Sequence, residues 1–160
     1  CTGDDAESTV DWIGAAVGAE RRHLEARNVF DGRRGRGEIT LKAVAEGRAA
    51  VACRGMIDIG LGGGGTDTYL TQSVLMLDPS AKVDAVPGLE IKTNDVKASH
   101  SATIARVTPE DLFAFAARGI DAQEARRMFV TGFLEDLTER IADTDVRAEV
   151  AAAIERKTAR

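Results

Sequence analysis

Aromatic residues are scarce in this chain, 4% of 160 residues, with one Trp and one Tyr. So few rings argue against a carbohydrate groove or a base-stacking platform. Cysteine is scarce too. Cys1 and Cys53 cannot build a disulfide framework, and no Cys-x-x-Cys or His-x-x-x-His spacing offers a closed zinc site. The histidines are His23 and His100, and neither lies in an acyl-transfer motif. No apolar run approaches the ~20 residues of a membrane-spanning helix. The net charge of -5 disfavours nucleic acid as the main partner. The one basic cluster, Arg33-Arg34-Arg36, sits among glycines and reads as a solvated turn. Gly62 to Gly65 followed by Thr66 lacks the lysine of a phosphate loop and reads as a turn between coils. Asp4, Asp5 and Asp67 lack the spacing of a calcium loop.

What the chain has in quantity is alternation. Leu24, Ala26, Asn28 and Phe30 share one parity; Ile39, Leu41 and Ala43 alternate with Thr40 and Lys42; Ile57 and Ile59 alternate with Met56 and Asp58. Val83 and Ala85, then Leu89 and Ile91, continue the pattern, and it closes with Val96, Ala98, His100, Ala102 and Ile104. Period two predicts strands. Turn signals separate them at Asp31-Gly32, Glu46-Gly47, Gly60, Gly62 to Gly65, Asp78-Pro79, Pro87-Gly88 and Thr93-Asn94. No helical pattern falls between the strands, which excludes a doubly wound sheet. Small residues at many inward positions suit stacked coils with a narrow interior, while periodicity alone leaves a sandwich open. Cys53 falls in an apolar run and reads as core.

From Thr108 the period becomes helical. Thr108, Pro109 and Asp111 form a start signal with a capping-box variant, and Arg118-Gly119 ends that helix. Asp121 and Glu124 repeat the start for a second helix over about 122–142, with Ala125, Met128, Phe129, Gly132, Phe133, Leu137 and Ile141 as its apolar face. A third helix from about Asp145 carries Val146, Val150, Ala153 and Ile154 on one side. These faces need a cover, either the end of the coil stack or another protein. Phe113 and Phe115 cannot share a face of a two-turn helix, so one ring packs inward and the other is left free.

The join between the two halves carries a resemblance. Pro87, Leu89-Glu90-Ile91, Asp95-Val96-Lys97, Ser99-His100, Ala102-Thr103, Leu112-Phe113, Arg118-Gly119-Ile120 and Glu124-Ala125 resemble the C-terminal signature of the SufB/SufD family of iron–sulfur cluster assembly scaffolds. The resemblance spans about residues 10–155 and is densest from Gly47 onward. It implies a right-handed parallel β-helix over 1–107 and a C-terminal helical domain over 108–160. The function it implies is that of a non-catalytic, cytoplasmic scaffold subunit working with a SufC-like ABC ATPase and a SufB-like partner, or with a second copy of itself. No stably bound cofactor is implied, only a transient iron–sulfur cluster shared with a partner. By spacing alone His100 reads as a packed histidine. The resemblance instead places it at the scaffold interface as an iron ligand, with Lys97 and Ser99 beside it. Phe113, Phe115, Arg118 and Gly119 match the ATPase-docking segment, with Phe115 and Arg118 as the expected anchors.

The departures are informative. SufD-like members often carry a cysteine where this chain has Ala98, so that position supplies no thiolate. The region from Asp78 to Pro87 also lacks the cysteine of SufB-like members. The chain therefore sits nearer the SufD type. Cys1 in place of a starting methionine would suit a processed lipoprotein or a trimmed chain, and resemblance to a cytosolic family favours trimming. An interaction module without cluster chemistry is the alternative reading. A β-helix polysaccharide lyase or hydrolase is disfavoured by the shortage of aromatic platforms.

Overall fold

A computed structural model describes residues 1–158. Seven strands come first: β1 (Glu7–Ala16), β2 (Arg21–Phe30), β3 (Arg36–Ala45), β4 (Ala50–Ile59), β5 (Thr66–Met76), β6 (Lys82–Ile91) and β7 (Val96–Arg106). Three helices follow: α1 (Pro109–Ala116), α2 (Ala122–Glu139) and α3 (Thr144–Thr158). Odd strands form one sheet in the order β1-β3-β5-β7, and even strands form a second in the order β2-β4-β6. Each strand of the odd sheet, and β2 with β4 and β4 with β6, pairs in parallel with the strand two along, so every coil holds one strand from each sheet. The repeat is about 30 residues, within the range of solenoid repeats. An antiparallel sandwich is thereby excluded, and the parallel β-solenoid of about 3 turns is what forms.

The interior follows the parity read from the sequence. Leu24 and Phe30, Ile39 and Leu41, Cys53, Ile57 and Ile59, and Leu70 and Val74 all point between the sheets and are buried. The gap is narrow. A Cβ on Gly55 would come within 2.5 Å of Leu70 Cδ1 and 2.8 Å of Gln72 Nε2, so only glycine leaves room there. The glycine-rich turn is just as tightly stacked, since a Cβ on Gly62 would lie 2.2 Å from the Asp31 carbonyl oxygen.

Two local expectations fail for physical reasons. Pro87-Gly88, marked as a turn, lies inside β6 with Pro87 beside Gly55. Since β6 is the outermost strand of its sheet, a proline without an N–H costs little there. The basic cluster is also tied down rather than simply solvated. Arg34 has φ of 54°, and its Nε and Nη2 donate to the two Asp5 carboxylate oxygens at 2.7 Å each.

The helices cover neither the end of the stack nor a separate partner; α2 lies along the outer face of the odd sheet. Val44, Leu75, Leu77 and Val107 pack there against Val130 and Leu134. The buried stripe of α2 is thus Ala125, Val130, Leu134 and Leu137, whereas Met128 is 45% exposed and Gly132 is exposed. The predicted face was turned because α2 serves α1, α3 and the sheet together. The α3 helix buries no residue fully, and Val146 is exposed. Ion pairs ring the small apolar patch. Lys42 reaches Asp136, Arg140 reaches Asp11 and Glu38, Arg126 reaches Glu46 and Asp78, and Lys157 reaches Glu20. The start signals form as read. Thr108 Oγ1 accepts from the Asp111 N–H, the Asp111 carboxylate accepts from the Thr108 N–H, and Asp121 accepts from the Glu124 N–H. No helix among the described residues is long and apolar enough to cross a membrane.

Candidate functional site

The site residues group at the last coil and at the elbow that follows it. β7 is the outermost strand of its sheet, so one side of its backbone has no partner strand. His100 sits on β7 directly beside Leu70. Its parity is inward, as the sequence indicates, yet the side chain is exposed because no further coil covers it. The packed-histidine reading is therefore wrong, and the imidazole is free to meet a partner. Ser99 and Lys97 are also exposed and lie on the opposite, outward face of the strand. Hence His100 and its two companions share an edge but not a face. The rows beside His100 end on exposed Ile104 in β7, and across the gap on exposed Ile91 in β6.

Sequence reasoning missed a row of charge on the outer face. Glu7, Arg36, Asp67 and Lys97 are successive register partners across β1, β3, β5 and β7, and their signs alternate. They line a groove of about 690 Å³ with Asp5 and Arg34. Their recurrence every coil is the signal in the sequence, legible once the repeat length is known.

The donor set at the last coil is sparse. Among the described residues no three His, Cys, Asp or Glu side chains converge as a metal site. Cys53 is buried in the solenoid, and burial pushes its thiol up to about 11, with the charge of Asp84 adding to the effect. It is packing, as expected from its apolar run, and cannot serve as a thiolate at neutral pH.

At the elbow the two rings of α1 divide. Phe115 packs on Phe129 with ring centroids 5.3 Å apart and planes tilted by 58°. Phe113 is 73% exposed. One ring in and one ring out is the arrangement expected, but the free ring is Phe113, so Phe115 is the packed member of the pair. Arg118 is exposed, with Nη1 donating back to the Ala114 carbonyl at 2.5 Å. Gly119 takes φ of 80°, the left-handed conformation that turns the chain from α1 toward α2.

Comparison with known proteins matches residues 1–133 to the core domain of SufBD proteins of the SUF system for iron–sulfur cluster assembly. The iron–sulfur cluster assembly protein SufD of Escherichia coli is 34% identical over 113 residues, 71% of this chain and 27% of that protein. A SufBD family protein of Mycobacterium tuberculosis is 41% identical over 92 residues, 57% of this chain and 23% of that protein. A second protein of that family and organism is 28% identical over 142 residues, 88% of this chain and 16% of that protein. The chain thus spans about a quarter or less of each of these relatives. The match to the family model, the SufD relative and the parallel solenoid agree, and the chain belongs to the SufB/SufD family of iron–sulfur cluster assembly proteins.

Proposed function

We propose that this chain acts as a non-catalytic scaffold subunit in cytoplasmic iron–sulfur cluster assembly. It works beside a SufB-like partner, or a second copy of itself, and a SufC-like ABC ATPase. The observation that carries this reading is His100, an exposed imidazole on a strand with a free edge. A neutral imidazole is a sound iron ligand. With Ala98 in place of a thiolate and Cys53 buried, His100 supplies one ligand to a transient cluster and the partner supplies the others. The ATPase docks on the α1 elbow through Phe113, Arg118 and the turn at Gly119. Exposed aromatics and arginines are the usual interface anchors, and these stand beside helices that are pinned to the solenoid by ion pairs. Coupling from the ATPase to the scaffold then runs through α2 into the odd sheet.

The test is His100→Ala in a complex reconstituted with a SufB-like protein and the ATPase. Cluster yield, read from the visible absorbance of the assembled complex, falls severalfold while the melting temperature of the variant stays at the wild-type value. Undiminished yield from a folded His100→Ala complex rejects the scaffold reading. It favours instead an interaction module without cluster chemistry, which the sparse donor set also supports.

A further inference from the structure

The free edge of β7 carries charge of one sign only. Lys97 and Arg106 stand near its two ends, and the strand from Val96 to Arg106 contains no Asp or Glu. Inside the solenoid each charge of the outward row faces its opposite in the next coil: Glu7 against Arg36, Arg36 against Asp67, Asp67 against Lys97. Lys97 ends that row. Its outer side has no strand, and among the described residues it forms no ion pair.

From this we infer that the β7 edge is built to receive a different strand bearing a carboxylate opposite Lys97, and not a second copy of this chain. The inference rests on the scaffold reading above only in taking β7 as the docking edge. Directly opposed residues in a sheet share a face. In an antiparallel pairing of two copies, Lys97 therefore meets an odd-numbered residue of the other β7: Lys97 itself, Ser99, Ser101, Thr103 or Ala105. None is anionic. Reaching Asp95, in the turn before β7, would leave the two strands almost no overlap. Like charges across an edge disfavour pairing, and opposite charges select it. A carboxylate-bearing strand continues the alternation that the three preceding coils already show.

Peptides test this directly on the full chain. One has the native sequence from Val96 to Arg106, a second carries Ser99→Glu, Ser101→Glu and Thr103→Glu, and a third scrambles the second. Fluorescence anisotropy is expected to show the acidic strand binding about tenfold tighter than the native strand at low salt. The difference disappears in Lys97→Ala and shrinks as salt is raised, while the scrambled peptide binds no better than the native one. Equal binding of native and acidic strands, or the same preference in Lys97→Ala, overturns the inference, and so does failure of every peptide to bind. Cluster yield is a separate readout. Acidic-strand selectivity together with normal yield from His100→Ala leaves this inference standing and removes the scaffold reading.

Discussion

Leu70 and His100 are direct neighbours across β5 and β7, and the first is fully buried while the second is exposed. Both have inward parity. What separates them is a covering coil, since Leu70 has β3 on one side and β7 on the other, whereas His100 has β5 alone. An inward position on the last coil is a surface position.

The narrowness of the interior makes a clear prediction at Gly55. A methyl group there meets Leu70 Cδ1 at 2.5 Å and Gln72 Nε2 at 2.8 Å, both on fully buried side chains. Gly55→Ala is expected to cost about 1–3 kcal/mol through overpacking. Thermal unfolding checks it, and a variant as stable as wild type would mean that the two sheets can move apart.

Parity was legible wherever neighbours bury a strand on both sides, which is why Leu24, Phe30, Ile39, Ile57 and Leu70 read correctly as core. It fails as a guide to burial at β7, because nothing in Val96–Arg106 marks that strand as the last. Pro87-Gly88 misled for a related reason. Proline is forbidden in a central strand and tolerated on an edge, and edge status is a property of the stack. The α2 stripe was displaced because helical spacing describes one partner, whereas Val130 and Leu134 answer to the sheet while Phe129 answers to Phe115. The caps at Thr108 and Asp121 depend on residues three apart, and these were read correctly.

The two thiols differ in reactivity for a physical reason. Cys1 is exposed, and Cys53 is buried with its thiol pushed up to about 11. At about pH 8 roughly one part in a thousand of Cys53 is thiolate, even before access is considered. A colorimetric thiol reagent is expected to titrate one thiol in the native chain and a second only in denaturant. Rapid reaction of both in the native state would show that the solenoid opens on the timescale of the assay.

Glu46 links the coils to α2, and its ionisation works against folding. Burial lifts its carboxyl above the ordinary value of 4.5, and the charge of Asp78 lifts it further, against the pull of Arg126. A carboxyl raised in the folded state costs stability at neutral pH, and the cost fades as pH falls through the raised value toward the unfolded one. Asp136 behaves in the opposite sense. Burial works to raise it, but the hydrogen bond and charge of Lys42 prevail, so its contribution is present at neutral pH and is lost as pH falls through its lowered value. Glu46→Gln is therefore expected to be at least as stable as wild type at about pH 7, with the difference closing below about pH 5. Paired melting curves across that range decide the matter. A variant weaker than wild type at every pH would show that the Arg126 contact, 3.9 Å long, outweighs the burial of charge.

The two phenylalanines of α1 separate packing from partner binding within a single turn of helix. Phe115 is half-buried on Phe129, so Phe115→Ala removes an aromatic pair and is expected to cost about 2–3 kcal/mol of stability. Phe113→Ala deletes an exposed ring and is expected to stay within about 0.5 kcal/mol of wild type. If the elbow is the ATPase dock, the order reverses in a binding assay. Phe113→Ala and Arg118→Glu then each weaken ATPase binding about tenfold with melting temperatures unchanged, as expected for truncated interface anchors. The exposed ring has no packing role within the chain to explain its place, whereas Phe115 does. Wild-type ATPase affinity in both folded variants would remove the elbow as the docking point and turn attention to the hollow of about 820 Å³ between α2 and α3.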